Sequence, residues 1–135
     1  MIFLDTSFIV AEEYERDENH AKAVAIRKKI ESGRYGHAYI SDYIFDESAT
    51  LLLARTGNME LVRSSGDILR SAVEILRINE GSFDHAWELF KAQKGNKPLS
   101  FTDCTNIAVM EEHGINNIVA FDGGFDHFGV NVVDG

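Results

Sequence analysis

Four carboxylates stand where an ionised acid is expensive: Asp5, Glu47, Asp103 and Asp122. Asp5 directly follows Ile2-Phe3-Leu4, a wholly apolar run that reads as a strand buried on both faces. Asp122 ends the run Ile118-Val119-Ala120-Phe121, before Gly123-Gly124. Asp103 follows Ser100-Phe101-Thr102 at the mouth of a helix that stops at Gly114. Glu47 sits within a helix. At about 100° per residue its surface neighbours are Tyr43, Ile44, Leu51 and Ala54, whereas Asp46 faces Asp42 and Thr50. Glu47 therefore belongs to an apolar arc and Asp46 to a wetter one. Singly, each acid has an ordinary structural reading. Asp5 and Asp103 can cap helices or complement their dipoles, Asp122 can serve a turn, and Glu47 can reach water or an arginine. Together, three acids are expected at one edge of one sheet, with the fourth half-buried on a helix. Converging carboxylates repel, so either their pKa values rise or a cation neutralises them. Hard oxygen donors without histidine or thiolate suit Mg2+ or Mn2+ rather than zinc.

The elements that must position these acids alternate between short β-type runs and longer helical patterns, as βαβ architecture does. Strands are predicted at 2–4, 37–40, 73–78, 117–121 and 130–133. Helices are predicted at about 7–15, 18–31, 42–56, 59–71, after Ser82, and at 102–113. Gly33, Gly57 and Gly114 serve as stops, and Ser41 as a cap. The expected fold is α/β: a three-layer domain over residues 1–135, with a mainly parallel central sheet of about five short strands. In such sheets ligands bind outside the C-terminal strand ends.

The composition limits what the chain can meet. Its 135 residues suit one domain, and a 44% hydrophobic share is normal for a globular protein. No apolar run approaches the roughly 18 residues needed to span a bilayer, so no membrane role is expected. The opening Met1-Ile2-Phe3-Leu4-Asp5 does not read as a signal peptide, and the lone Cys104 fits a reducing cytoplasm. The net charge of −9 gives no global attraction for nucleic acid. A phosphate-bearing substrate would need a bound cation or a local basic strip. Arg27-Lys28-Lys29 with Arg34, and Lys91 with Lys94 and Lys97, are the two candidate strips. The histidines at 20, 37, 85, 113 and 127 are scattered and read as structural. There is no Gly-rich phosphate loop and no nucleophile elbow. Nor are there the paired acids of a receiver domain or the Asp-x-Asp of a haloacid dehalogenase phosphatase.

The ordered set of motifs resembles the PIN-domain ribonucleases, especially the VapC-type toxins of toxin–antitoxin pairs. The matching pieces are Ile2-Phe3-Leu4-Asp5-Thr6-Ser7, Asn19-His20-Ala21, and the 41–53 helix with Glu47. They continue with Leu99-Ser100-Phe101-Thr102-Asp103-Cys104, Ile107-Ala108-Val109-Met110, Gly114, Phe121-Asp122 and Phe125. The resemblance implies an Mg2+- or Mn2+-dependent endoribonuclease, with Asp5, Glu47, Asp103 and Asp122 as its catalytic and metal-binding quartet. It also implies an RNA substrate, an antitoxin partner and a homodimer, for which the 41–71 helix pair with Leu51-Leu52-Leu53 is the candidate surface. The family often carries Thr or Ser two residues before the fourth acid, where this chain has Ala120. Asp126 is an extra acid nearby, and Thr6 and Ser7 are candidate supporting hydroxyls. Two other readings stay open: an RNA-processing PIN nuclease without an antitoxin, and a catalytically degraded interaction module.

Glu47→Gln should abolish most RNA cleavage with the fold intact by circular dichroism, whereas Asp46→Asn should leave cleavage nearly unchanged. Equal effects would contradict the assignment of faces.

Overall fold

The fold is described from a computed structural model covering residues 1–135. Five strands, β1 (Ile2–Leu4), β2 (Ala38–Ser41), β3 (Glu74–Leu76), β4 (Asn117–Val119) and β5 (Asn131–Val133), form one sheet in the order β3-β2-β1-β4-β5. Every neighbouring pair is parallel. The helices are α1 (Thr6–Glu13), α2 (His20–Glu31), α3 (Asp42–Thr56), α4 (Met59–Ala72), α5 (Glu80–Lys91) and α6 (Phe101–His113), with a 3-10 turn at Phe125–Phe128. They flank the sheet, as expected of an α/β fold with a parallel sheet.

β1 is the central strand, which explains its uninterrupted apolar run. Ile2 and Phe3 are fully buried and pair with β2 on one side and β4 on the other. Around them pack Phe8, Ile40, Ile44, Ile107, Met110 and Ile118, all with 0–1% exposure. Burying one such side chain contributes about 1.5–3 kcal/mol. The chain steps outward from β1 to β2 and β3, then returns to lay β4 and β5 on the other side. The strand order therefore reverses between β1 and β4, and a crevice opens beyond their C-terminal ends. Asp5 leaves β1 at that point.

Several element boundaries differ from their sequence patterns, each for a visible reason. The third strand, expected to reach Ile78, stops at Leu76. The Asp42 side chain takes the Ile78 N–H at 2.9 Å and turns the chain into α5. The fourth, expected to reach Phe121, stops at Val119, because the Phe121 N–H donates to Ser7 Oγ at 3.1 Å rather than to a strand. The second helix starts at His20, after Asp17 Oδ1 closes a local turn on the Asn19 N–H at 2.8 Å. α5 starts ahead of Ser82. Asn79 is its cap, accepting from the Ser82 N–H at 2.8 Å, and the Ser82 hydroxyl is spent on Glu112. Ser41, Gly57 and Gly114 cap as expected. No helix is long and apolar enough to cross a membrane.

Gly124 controls the turn after Asp122. It has φ +107°, and a Cβ there would meet Leu99 Cδ2 at 2.8 Å, whereas nothing lies within 4 Å of a Cβ at Gly123. Gly124→Ala should cost about 1–3 kcal/mol in urea unfolding, while Gly123→Ala should cost less than about 0.5 kcal/mol. Similar losses for both would refute the strain argument.

Candidate active site

Asp5, Glu47, Asp103 and Asp122 line one cleft of about 530 Å³. Each arrives by a different route. Asp5 is the N-cap of α1 and is 2% exposed. Its Oδ2 accepts from the Ser7 N–H at 3.1 Å and from the Ser7 hydroxyl at 2.6 Å, while Oδ1 accepts from Asn106 Nδ2 at 3.1 Å. Asp103 is the N3 residue of a capping box on α6. It accepts from the Ser100 N–H at 3.1 Å, and the Ser100 hydroxyl accepts from its own N–H at 3.1 Å. Glu47 lies half-buried on the face of α3 that turns to the cleft with Leu51, while Asp46 is exposed on another face. Asp122 is exposed at the rim, in the bend beyond β4.

Three short ties join these segments to residues 5–7. Ser7 Oγ donates to Asp5 and accepts the N–H of Phe121, one residue before Asp122. Thr6 Oγ1 accepts from the hydroxyl of Ser48, one residue after Glu47, at 3.3 Å. Asn106, one helical turn beyond Asp103, is fully buried and donates to Asp5. The tripeptide Asp5-Thr6-Ser7 is thus bonded to every segment that carries another acid.

The electrostatics follow from burial. The Asp5 carboxyl is pushed up to about 7, first by loss of solvation and then by repulsion from Asp103 and Asp122, against the lowering effect of its Ser7 bonds. Asp103 is also raised, by burial foremost and by Glu47 and Asp122, although Ser100 opposes the shift. The acids feel one another across the cleft, yet no three Asp, Glu, His or Cys side chains stand together as a ready coordination set.

Other expected participants lie elsewhere. Asp126 is exposed on the 3-10 turn and does not line the cleft. None of the five histidines lines it either; His20 bonds the Ala11 carbonyl and His85 meets Glu111 at 2.7 Å. Neither basic strip reaches it: Arg27 is taken by Glu12 at 2.7 Å and Lys91 by Glu88 at 2.8 Å. The cleft contains three charged residues that the sequence reading did not single out, Asp17, Glu18 and Arg55. Asn106 was missed as well. Its only sequence signal is a polar residue inside the apolar run of α6, and its Oδ1 is a buried polar atom without a partner.

The PIN domain family model matches residues 2–131. The chain belongs to the PIN-domain family. It is 32% identical over 129 residues to the 23S rRNA-specific endonuclease VapC20 of Mycobacterium tuberculosis, covering 96% of this chain and 95% of that one. The crystal structure of that VapC20, titled a sarcin–ricin loop cleaving toxin, superposes with a TM-score of 0.85 at 30% identity over the whole of both chains. VapBC2 from Rickettsia felis, bound to a DNA fragment from its promoter, gives a TM-score of 0.71 at 17% identity over 98% of each chain. It shows the shared fold. Within this PIN fold Ala120 is 1% exposed and supplies no hydroxyl, while the Ser7 hydroxyl bridges Asp5 to the chain next to Asp122.

The raised Asp5 carboxyl makes stability depend on pH. The native state holds that proton up to about pH 7 and the unfolded chain only to about 3.8, so stability is lost as pH rises between those values. With a chelator present, Asp5→Asn should therefore raise the melting temperature by about 5 °C or more at pH 8. The gain should shrink at pH 5. A loss at both pH values would show that the carboxylate stabilises the metal-free fold.

Proposed function

We propose that the protein is a divalent-metal-dependent endoribonuclease acting as the toxin of a VapBC-type pair, with Asp5, Glu47, Asp103 and Asp122 as its catalytic and metal-binding residues. The observation that carries this reading is the meeting of four acids from β1, α3, α6 and the β4 edge in one cleft. It occurs in a chain 32% identical to a 23S rRNA-specific endonuclease. The donor set fits Mg2+ or Mn2+: carboxylate oxygens and hydroxyls, with no imidazole or thiolate in the cleft. Such an ion, when bound, lowers the pKa of a water molecule and offsets charge on the phosphate. The protein's own contribution is positional. Ser7 and Asn106 hold both oxygens of Asp5, so the carboxylate cannot swing away from the cleft. The capping box likewise fixes Asp103. Glu47, on a helix face tied by Ser48 to Thr6, stands where it could take a proton from an attacking water.

The partner readings rest on the same charge. An antitoxin would block the cleft most simply with an arginine set bidentately among the carboxylates. The homodimer surface remains assigned to α3 and α4. Within it Leu52 is core at 2% exposure, whereas Ile68 of α4 is 62% exposed and available to a partner. A cytoplasmic placement is consistent with the single free, buried thiol of Cys104.

An RNA hairpin copying the sarcin–ricin loop of 23S rRNA provides the test. The protein should cut it at one internal site with Mg2+ or Mn2+ and leave it whole with EDTA. Asp5→Asn should lower the rate at least about 100-fold. The same ions should raise the melting temperature of the wild type, since binding to the native state stabilises it. No cleavage and no thermal shift would favour an interaction module. Cleavage by a chain encoded without a neighbouring antitoxin gene would favour RNA processing.

A further inference from the structure

Six acids line the cleft, Asp5, Asp17, Glu18, Glu47, Asp103 and Asp122, and one basic side chain, Arg55, lines it with them. Arg55 stands eight residues beyond Glu47 on α3. The series Glu47, Leu51, Arg55 repeats at the i, i+4 spacing that keeps side chains on one helix face, and all three line the cleft. Along the axis the guanidinium-bearing residue is about 12 Å from Glu47. One end of the cleft thus gathers the acid quartet and the other holds a cation.

The state of that cation distinguishes it from the protein's other arginine in a close ion pair. Arg27 donates to Glu12 at 2.7 Å and reaches Glu31 at 3.4 Å, so its fork is engaged. Arg55 meets Asp17 at 3.6 Å, beyond hydrogen-bond length, and its side chain is 45% exposed. Asp17 in turn is held by the Asn19 N–H at 2.8 Å. Arg55 is therefore parked beside a fixed carboxylate with its donors unspent, facing a cleft that an anionic polymer must enter. A pair this long, with the guanidinium half exposed, contributes little to stability, and complementing the dipole at the end of α3 does not require the guanidinium to face the cleft.

We propose that Arg55 is a substrate anchor that grips a backbone phosphate of the RNA next to, and not at, the phosphate being cut. This inference rests on the ribonuclease reading above. A guanidinium takes a phosphate bidentately and a lysine ammonium does not. The contact fixes the register of the strand along α3, so that the neighbouring phosphate lies over the acid quartet.

The test uses the wild-type chain and the sarcin–ricin hairpin, with binding measured by fluorescence anisotropy in EDTA between 50 and 300 mM KCl and cleavage measured with Mn2+. Arg55→Ala should weaken binding about tenfold. The slope of log Kd against log salt should fall by about 0.7–0.9, the share of one phosphate contact. KM should rise by a similar factor with kcat within about twofold, and the melting temperature should hardly move. Arg55→Lys should restore the salt slope and only part of the affinity. Asp17→Asn, which frees the guanidinium and removes a negative charge from the cleft, should tighten binding. The proposal is overturned if Arg55→Ala leaves Kd and its salt slope unchanged. It is equally overturned if both Arg55→Ala and Asp17→Asn lower the melting temperature and kcat together, as a mere tie between α3 and the α1–α2 connection would. Failure of the wild type to bind or cut the hairpin would sink the ribonuclease reading itself, whereas normal cleavage by Arg55→Ala would remove only the anchor.

Discussion

The carboxylate of Asp5 is the constraint around which the site is built. It is 2% exposed at the end of the central strand, and burial without compensation would make it the most expensive group in the cleft. Three donors reach it, two from Ser7 and one from Asn106. Meeting that demand dictates the local structure. Ser7 must lie in the first turn of α1, Asn106 must replace an apolar residue inside α6, and β4 must end early so that the Phe121 N–H can bond Ser7. Satisfying one buried charge thus brings the β4 edge, α1 and α6 to the same point, and their other acids come with them.

The sheet makes this meeting possible. Parallel strands deliver their C-terminal ends to one edge, and the reversal of order between β1 and β4 opens a crevice there. α3 begins right after β2 and α6 packs against α5, so both helices present a face or a first turn to the same crevice. The chain's charge of −9 is therefore not spread evenly in meaning. Part of it is concentrated in one cleft, where six acids stand against a single arginine.

Much of this was legible in the residues. An apolar tripeptide ending in Asp, an acid on the apolar arc of a helix and an acid after a serine cap are all local patterns, and each names a position on the fold. Glu47 and Asp46 were separable by helical angle alone, and the structure sets Glu47 half-buried in the cleft and Asp46 in solvent. What was not legible depended on contacts distant in sequence. Asn106 lies 101 residues from the carboxylate it serves. Arg55 shares the helix face of Glu47 and Leu51, but its neighbour in the cleft, Asp17, lies 38 positions away on the loop before α2. The basic strips lie outside the cleft lining, where Arg27 pairs with Glu12 and Lys91 with Glu88, partners that clustering in sequence does not name. Strand ends were overextended because side chains such as Asp42 and Ser7 captured N–H groups that the pattern assigned to the sheet.

Asp5 does cap α1, so the capping reading is true as far as it goes. It does not explain why the cap is an acid. Asparagine or serine satisfies the same N–H about equally well, and neither would carry a charge into a site that also holds Asp103 and Asp122. A residue chosen for the cap alone would therefore not be one whose carboxyl burial and neighbours push up to about 7. The surplus charge is intelligible if something positive is meant to share the cleft with it. Glutamine would complete the capping box on α6 without charge, whereas the Asp103 carboxyl is raised, by burial first and then by Glu47 and Asp122. Both carboxyls are raised first by burial, and both stand where a nearby positive charge would bring them down again.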